Sequence, residues 1–367
     1  MILKFIKNNK GALIILLSLN FINLKFKMEV NQNSTTIYNL ECSPSYIINN
    51  LSQSKDSLYY IHNSQSFPRI LVVNKKLLKE KDSNNKIISI LNSSEKNEML
   101  LIKSIIIKEE EYIAVGMYNG FKLWNKEGNR LLYQISNPNY DKKKIYAFIC
   151  CSEFILDKTN KSLIGADSII AGDNYGNLFL IFGSKSNCKS TKIFSLTNKD
   201  SILSIGTNKE IDKFGISLDN GDVIILSMNE GYCEMIKKFE ENGKQLIAVN
   251  SVVFSKKDKS EYFLGCGFIN GEIRIYSLND YNWKFSINSN LRSIGPMIVK
   301  DSCEIIVGSD DGQINIWKFE DEEDKIILKK NLLYEDKMIV GLAYDSEDNI
   351  LYANCYDYPE IMAIYDI

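Results

Sequence analysis

Five stretches of this chain are variations on one pattern. A small residue is followed by turn-forming positions, a glycine and an alternating apolar strand. The copies are Gly116–Trp124, Gly172–Ile181, Ser217–Leu226, Gly267–Tyr276 and Gly308–Trp317. A self-similar unit of roughly 40–55 residues specifies an array of supersecondary units, not an ordinary single-core domain. That constraint overrides the two or three domains that a length of 367 residues would otherwise suggest.

Each unit reads as strands joined by a tight turn. Asn-Gly at 119–120, 220–221 and 270–271 and Asp-Gly at 311–312 predict type I′ hairpin turns, which need positive φ at both central residues. After the turn, Glu272 and Arg274 alternate with Ile273 and Ile275, and Gln313 and Asn315 with Ile314 and Ile316. That is the period of a strand burying one face. Before the turn the residues are small and apolar, as in Ile169–Gly172 and Ile305–Gly308, which suits close packing near a crowded axis. Further strand-like runs lie upstream (Ile145–Ile149, Ile247–Phe254, Met338–Tyr344) and downstream (Leu131–Ile135, Lys192–Leu196, Trp283–Ile287). Four strands per unit make a propeller blade.

With the turn glycines and the aromatic residues Trp124, Tyr276, Trp317 and Tyr365 closing the third strands, residues 34–367 resemble the WD40 family. The resemblance implies an all-β propeller of four-stranded blades. Two family marks are missing: no unit carries Gly-His, and no Trp is followed by Asp. The usual Asp-His-Ser/Thr-Trp tetrad therefore cannot form in its standard version, and strand pairing and apolar packing must carry the blades.

The five turns mark five blades. A sixth is Ile350–Ala353 with Ile361–Ile367, where Tyr-Pro replaces the glycine turn. A seventh is Leu58–Ile61 and Arg69–Val73 with Lys86–Leu91 outside. The expected count is seven, and the divergent first blade leaves six or eight open. The last blade lacks an outer strand, and Thr35–Leu40 is a strand-like run without a blade. The expectation is that this run completes the last blade and closes the ring, removing exposed sheet edges.

Net charge is −2, and the only arginines are Arg69, Arg130, Arg274 and Arg292. Bidentate phosphate and guanine recognition favours arginine, so nucleic acid is not expected as a partner. The basic run Lys142–Lys144 and the acidic run Glu320–Asp324 read as solvated loops, as do the asparagine-rich stretches at 74–98 and 157–162. Asn-X-Ser/Thr at Asn33, Asn50, Asn92 and Asn160 is expected by chance in so asparagine-rich a chain. The eight cysteines have no Cys-X-X-Cys spacing, and their scatter through strands points to buried thiols in a reducing compartment. Cys150 and Cys151 are adjacent and should point to opposite faces of their strand.

Residues 1–27 fall outside the repeat and precede a propeller domain spanning 28–367. Lys4, Lys7 and Lys10 lead into the apolar run Ala12–Leu19, which is short for a membrane span and lacks a clean cleavage site after it. The readings are a gene-model extension with translation from Met28, a secretory signal or anchor, or an accessory segment. The thiols and the repeat type point to cytoplasm or nucleus, with a secretory route if residues 1–27 are genuine. No membrane partner is expected unless that segment is an anchor.

No catalytic, metal or cofactor motif stands out. His62 is the single histidine, so a His-rich metal cage is excluded and a Ser-His-Asp arrangement would have to use it without a nucleophile elbow. No P-loop, Rossmann glycine pattern or EF-hand loop is present. Function is therefore expected on the surface. In WD40 proteins the turns between second and third strands share a partner-binding face with the blade-linking loops. Carried onto this chain, the resemblance implies Tyr118, Asp173, Tyr175, Phe268, Asp310 and Tyr358 as partner-binding positions, with Asn119, Asn220, Asn270 and Asp311 serving turn geometry. The reading is a non-enzymatic protein-interaction scaffold within an intracellular complex. Alternatives are a ubiquitin-ligase substrate receptor, although Trp124 and Trp317 are followed by Asn and Lys rather than by the Asp-X-Arg of that docking motif, and a propeller hydrolase using carboxylates in a central channel.

Overall fold

The computed structural model describes residues 35–40, 45–63, 68–79, 87–92, 98–136, 147–156, 167–183, 188–229, 231–241, 247–289, 291–320 and 325–367. Residues 1–27, Lys142–Lys144, the stretch 157–162 and 321–324 lie outside these, as does Cys42. Among the described residues no helix is long and apolar enough to cross a membrane.

The strands form seven antiparallel four-stranded sheets, each ordered from the channel outward. Blade 1 contains β2 (Ser52–Gln53), β3 (Ser57–Asn63), β4 (Pro68–Asn74) and β5 (Ile87–Asn92), with the short helix α1 (Lys75–Lys79) before β5. Blade 2 contains β6 (Met99–Ile107), β7 (Glu110–Met117), β8 (Gly120–Asn125) and β9 (Leu131–Ser136). Blade 3 follows as β10 (Phe148–Phe154), β11 (Ser168–Asp173), β12 (Asn177–Phe182) and β13 (Lys189–Ser195). Blade 4 is β14 (Ile202–Gly206), β15 (Lys213–Leu218), β16 (Val223–Asn229) and β17 (Tyr232–Phe239). Blade 5 is β18 (Ala248–Ser255), β19 (Tyr262–Phe268), β20 (Glu272–Ser277) and β21 (Trp283–Asn288). Blade 6 is β22 (Ile294–Val299), β23 (Glu304–Ser309), β24 (Gln313–Glu320) and β25 (Lys325–Leu333). Blade 7 takes β26 (Ile339–Asp345), β27 (Ile350–Cys355) and β28 (Glu360–Ile364) from the end of the chain, and β1 (Thr35–Asn39) from its beginning.

The expected seven blades and the closure by an N-terminal strand are both present. β1 pairs along β28 from Thr35 opposite Ile364 to Asn39 opposite Glu360. Boundaries differ in detail. The inner strand of blade 3 runs on to Phe154, because Cys150–Phe154 keeps pairing with β11 beyond the Ile149 at which the sequence reading stops.

The sheets are buried on both faces, and the core is divided among the seams between blades. Seven apolar clusters each draw residues from two neighbouring blades. The strand period distributes them: Ile305 and Val307 of β23 face blade 5, and Ile306 between them faces blade 7. Cys150 and Cys151 separate in the same way, the first into the blade 3–4 seam and the second into the blade 2–3 seam. Burial pushes the Cys151 thiol up to about 12 and raises Cys150 as well. The small residues of the second strands admit the next blade. A Cβ on Gly308 would meet Ile339 Cγ2 at 2.7 Å, and one on Gly172 would meet Ile202 Cγ2 at 2.9 Å.

The turn prediction needs correction. Positive φ falls on the glycine and not on the residue before it, as at Gly221, Gly271 and Gly312. In these turns the glycine N–H bonds back three residues, Gly271 to the Phe268 carbonyl at 3.1 Å and Gly221 to Leu218 at 3.0 Å. This is the three-residue hairpin loop in which a four-residue turn precedes a left-handed glycine. The preceding Asn or Asp acts through its side chain, which accepts the N–H two residues on: Asn220 from Asp222 at 2.9 Å, Asn270 from Glu272 at 3.1 Å and Asp311 from Gln313 at 3.3 Å. The turn-geometry assignment of these three residues is thus correct, while the turn type is not. A hairpin loop with two positive φ values occurs elsewhere, at Lys108 (47°) and Glu109 (70°) between β6 and β7, without any Asn-Gly signal.

Candidate functional site

The turns between second and third strands and the segments linking blades lie on one face, called upper here. Three of its described aromatic side chains gather near blades 6 and 7. Tyr46, 59 % exposed, meets Tyr356 edge-on with ring centroids 5.8 Å apart. Tyr358 donates its hydroxyl to the Asp336 carbonyl at 2.9 Å, and Lys337 Nζ lies 5.1 Å from the Tyr358 ring centre while pairing with Glu360. Beside them Arg292 reaches Asp310 Oδ2 at 2.9 Å through Nη2 and 3.0 Å through Nε. The three rings and the guanidinium offer flat, partly wet surface with polar edges, a composition suited to anchoring a protein partner.

Of the six positions implied by the resemblance, Tyr118, Tyr175, Asp310 and Tyr358 are half-buried on this face. Phe268 and Asp173 are fully buried, so neither presents its side chain to a partner. Phe268 belongs to the blade 4–5 cluster and lies 4.4 Å beneath the Arg274 guanidinium. Arg274 is in turn held by Glu241 of blade 4 and by Glu272. Asp173 accepts from Tyr175 N at 2.9 Å, Asn177 N at 2.8 Å and Asn177 Nδ2 at 2.8 Å, which makes it the brace of its own turn. Position in the turn was legible, but the direction of the side chain was not. Tyr46, Tyr356 and Arg292 were missed. Tyr46 lies in a segment with no periodicity, and the other two occupy unremarkable loop positions.

The inner strands enclose a central channel of about 1170 Å³. Residues 45–51 run across its upper mouth. Ile47 packs on the blade 1–2 cluster, while Asn49, at φ 65°, accepts a hydrogen bond from Asn250 Nδ2 of blade 5 at 3.0 Å. From Asn250 a polar line continues through Ser204 Oγ at 3.3 Å to Ser251 Oγ at 2.9 Å. At the lower mouth Lys209 pairs with Glu153 at 2.6 Å, and Lys259 pairs with Glu210. Glu210 also accepts the Tyr262 hydroxyl at 2.7 Å, and these two donors hold its carboxyl below the usual range.

His62 is buried on β3 opposite Arg69. Among the described residues no group of three or more His, Cys, Asp or Glu could hold a metal ion. Asn50, one of the chance glycosylation matches, is fully buried and hydrogen-bonded.

Fold and site define the class: a seven-bladed β-propeller with a channel and an aromatic-edged loop face. No protein-family model matches the chain, and no curated protein matches it. Among solved structures it is similar to a chain of "Crystal Structure of Mitotic Checkpoint Complex", with a TM-score of 0.67 and 11% identity, over 90% of this chain and 91% of that one. At that identity the likeness shows the fold alone. Matches to 1661 solved chains make the same point, because a scaffold so widely used does not single out a role.

Proposed function

We propose that this chain is a WD40-like, non-catalytic interaction scaffold whose upper face docks a protein partner. The observation that carries the reading is the Tyr46–Tyr356–Tyr358 and Arg292–Asp310 patch on a closed, rigid ring. Loops held by such a ring lose little conformational entropy on binding, so modest contacts yield useful affinity. Tyr118 and Tyr175 extend the same face toward blades 2 and 3. The similarity to a chain of a checkpoint complex supports a place in a multiprotein assembly without naming it. The buried free thiols Cys150, Cys151, Cys266 and Cys355 support residence in a reducing compartment, cytoplasm or nucleus.

The test is affinity purification of the tagged chain from native cells, beside a variant carrying both Tyr46→Ala and Tyr358→Ala. A stoichiometric partner should co-purify with the wild type and be lost from the variant, at an unchanged melting temperature. Retention of the partner by the variant would move the interface off this face. Absence of any stoichiometric partner from the wild type would sink the scaffold reading.

A further inference from the structure

The channel has chemistry that an interaction scaffold does not use. Five charged side chains line it among the described residues: Lys103, Glu153, Lys209, Glu210 and Lys259. Four of them cancel in the pairs Lys209–Glu153 and Lys259–Glu210. Lys103 is left over. It projects from the middle of β6, and its Nζ makes only long contacts, 3.4 Å to the Cys151 carbonyl and 3.4 Å to Ser152 Oγ. Ser152 in turn shares a 2.7 Å hydrogen bond with Thr207 Oγ1. Three successive blades thus bring an ammonium and two hydroxyls to one level of the channel.

Above that level apolar side chains join the hydrogen-bonded line Asn49–Asn250–Ser204. Leu100, Ile149, Leu203 and Val249, near the upper ends of four successive inner strands, are half-buried against the channel, with Ile48 of the crossing segment above them. Leu100 lies three residues before Lys103 on the same strand, which at the rise of a β-strand is about 10 Å. The segment 45–51 crosses the mouth at this end. Among the described residues the space is therefore uncharged and partly apolar beneath residues 45–51, cationic at its middle and charge-balanced toward the lower mouth.

We infer that the channel binds a small amphiphilic carboxylate, with its carboxylate on Lys103 and Ser152 and a short or medium apolar tail beneath residues 45–51. A single uncompensated positive charge matches one carboxylate, whereas a phosphate dianion would overshoot it. Lys103 is half-buried, so a carboxylate beside it gains from reduced solvent screening, and the apolar walls suit an apolar tail. The site is separate from the upper-face patch, so either can fail without the other.

The probe is octanoate, titrated calorimetrically into the full chain, with octanol, acetate, inorganic phosphate and an apolar tetrapeptide bearing a free carboxylate as comparators. One octanoate should bind per chain, more tightly than octanol or acetate. Lys103→Gln should weaken octanoate at least tenfold, as loss of a charge-assisted hydrogen bond implies, at unchanged melting temperature. In the unmutated chain, octanoate should also slow acylation of Lys103 by an amine-reactive ester, read by peptide mass spectrometry. No octanoate binding, equal binding of octanol, or indifference to Lys103→Gln would overturn the inference. Stronger protection of Lys103 by phosphate would replace the carboxylate with another anion, and stronger binding of the tetrapeptide would assign the channel to a chain end; either result overturns the inference as stated.

Discussion

Two of the seven seams solve the same packing problem by different means. Between blades 3 and 4 the chain passes directly from one sheet to the next; the body of the seam is apolar, and its polar contacts, among them Ser152–Thr207 and Lys209–Glu153, lie at the channel edge. Phe154, Ile170, Leu178 and Leu180 meet Ile202, Phe214, Ile216 and Leu226. Between blades 7 and 1 an apolar cluster is also present, but polar contacts between residues far apart in sequence are added to it. β1 zips onto β28, and Asn50 N donates to the Val340 carbonyl at 3.0 Å. Asn354 Nδ2 donates to the Asn50 carbonyl at 2.7 Å, and Gln53 donates to the Tyr344 carbonyl. Lys75 of α1 reaches Asp345 Oδ2 of blade 7 at 2.7 Å, with the two side chains 5 % and 9 % exposed. Where the chain itself holds neighbours together, apolar packing carries the body of the seam and the polar contacts sit at its edge. Where closure must be made from distant segments, groups that are costly to leave unpaired fix one register.

The largest effect should come from removing the closing strand. A chain starting after residue 40 loses the β1 pairing and exposes the β28 edge. We expect a loss on the order of 5 kcal/mol, a large part of the stability of an ordinary domain, or aggregation through that edge. Urea unfolding followed by tryptophan fluorescence reads this, and an unmoved midpoint would show that the ring does not depend on closure.

Next in size is the buried ion pair. Lys75→Ala strands Asp345 and should cost about 3–5 kcal/mol, while the double change Lys75→Met with Asp345→Leu should cost less than either single change. Burial opposes ionisation of Asp345, but the Lys75 hydrogen bond and charge outweigh it, and its pKa is lowered. A lowered carboxylate pKa adds stability above the unfolded value, about 3.9, and that stability is lost as pH falls through the folded value. The advantage of the wild type over the double variant should therefore shrink in melts below about pH 4; a constant gap would mean that the pair contributes through packing alone.

In the apolar seam, Ile202→Ala should cost about 3 kcal/mol through lost burial and a cavity. That cost should be the same at pH 7 and pH 3.5, and this independence is what separates the two seams. Smallest is Tyr46→Ala on the upper face, expected to change stability by less than about 0.5 kcal/mol. A larger drop in its melting temperature would turn Tyr46 from a docking group into a structural one.

Much of the ring was legible because its signals are local and repeated. Gly221, Gly271 and Gly312 sit at hairpin loops, and the alternation of residues 272–276 and 313–317 marks strands, although the reading of one buried face fails at β24, where Asn315 is buried and bonds the Ser289 carbonyl. Closure by Thr35–Asn39 followed from counting, since a final blade one strand short needs one from elsewhere. The turn type was misread because Asn-Gly is compatible with two hairpin loops, and only the bulge in the ladder distinguishes them. The site was less legible. Phe268 ends the second strand of blade 5 and Tyr358 lies in the turn after the second strand of blade 7, yet one lies under Arg274 and the other edges the loop face.

The sequence by itself determined the repeat, the strand order within each blade and the strand that closes the ring. All of these depend on residue type at fixed spacing, which is written along the chain. Tertiary structure decided which turn side chains face outward, that residues 45–51 span the channel, and that Lys103 is the one described charge lining it without an opposite charge. Those outcomes depend on residues brought together from different blades, and no spacing along the chain encodes a distance across a ring.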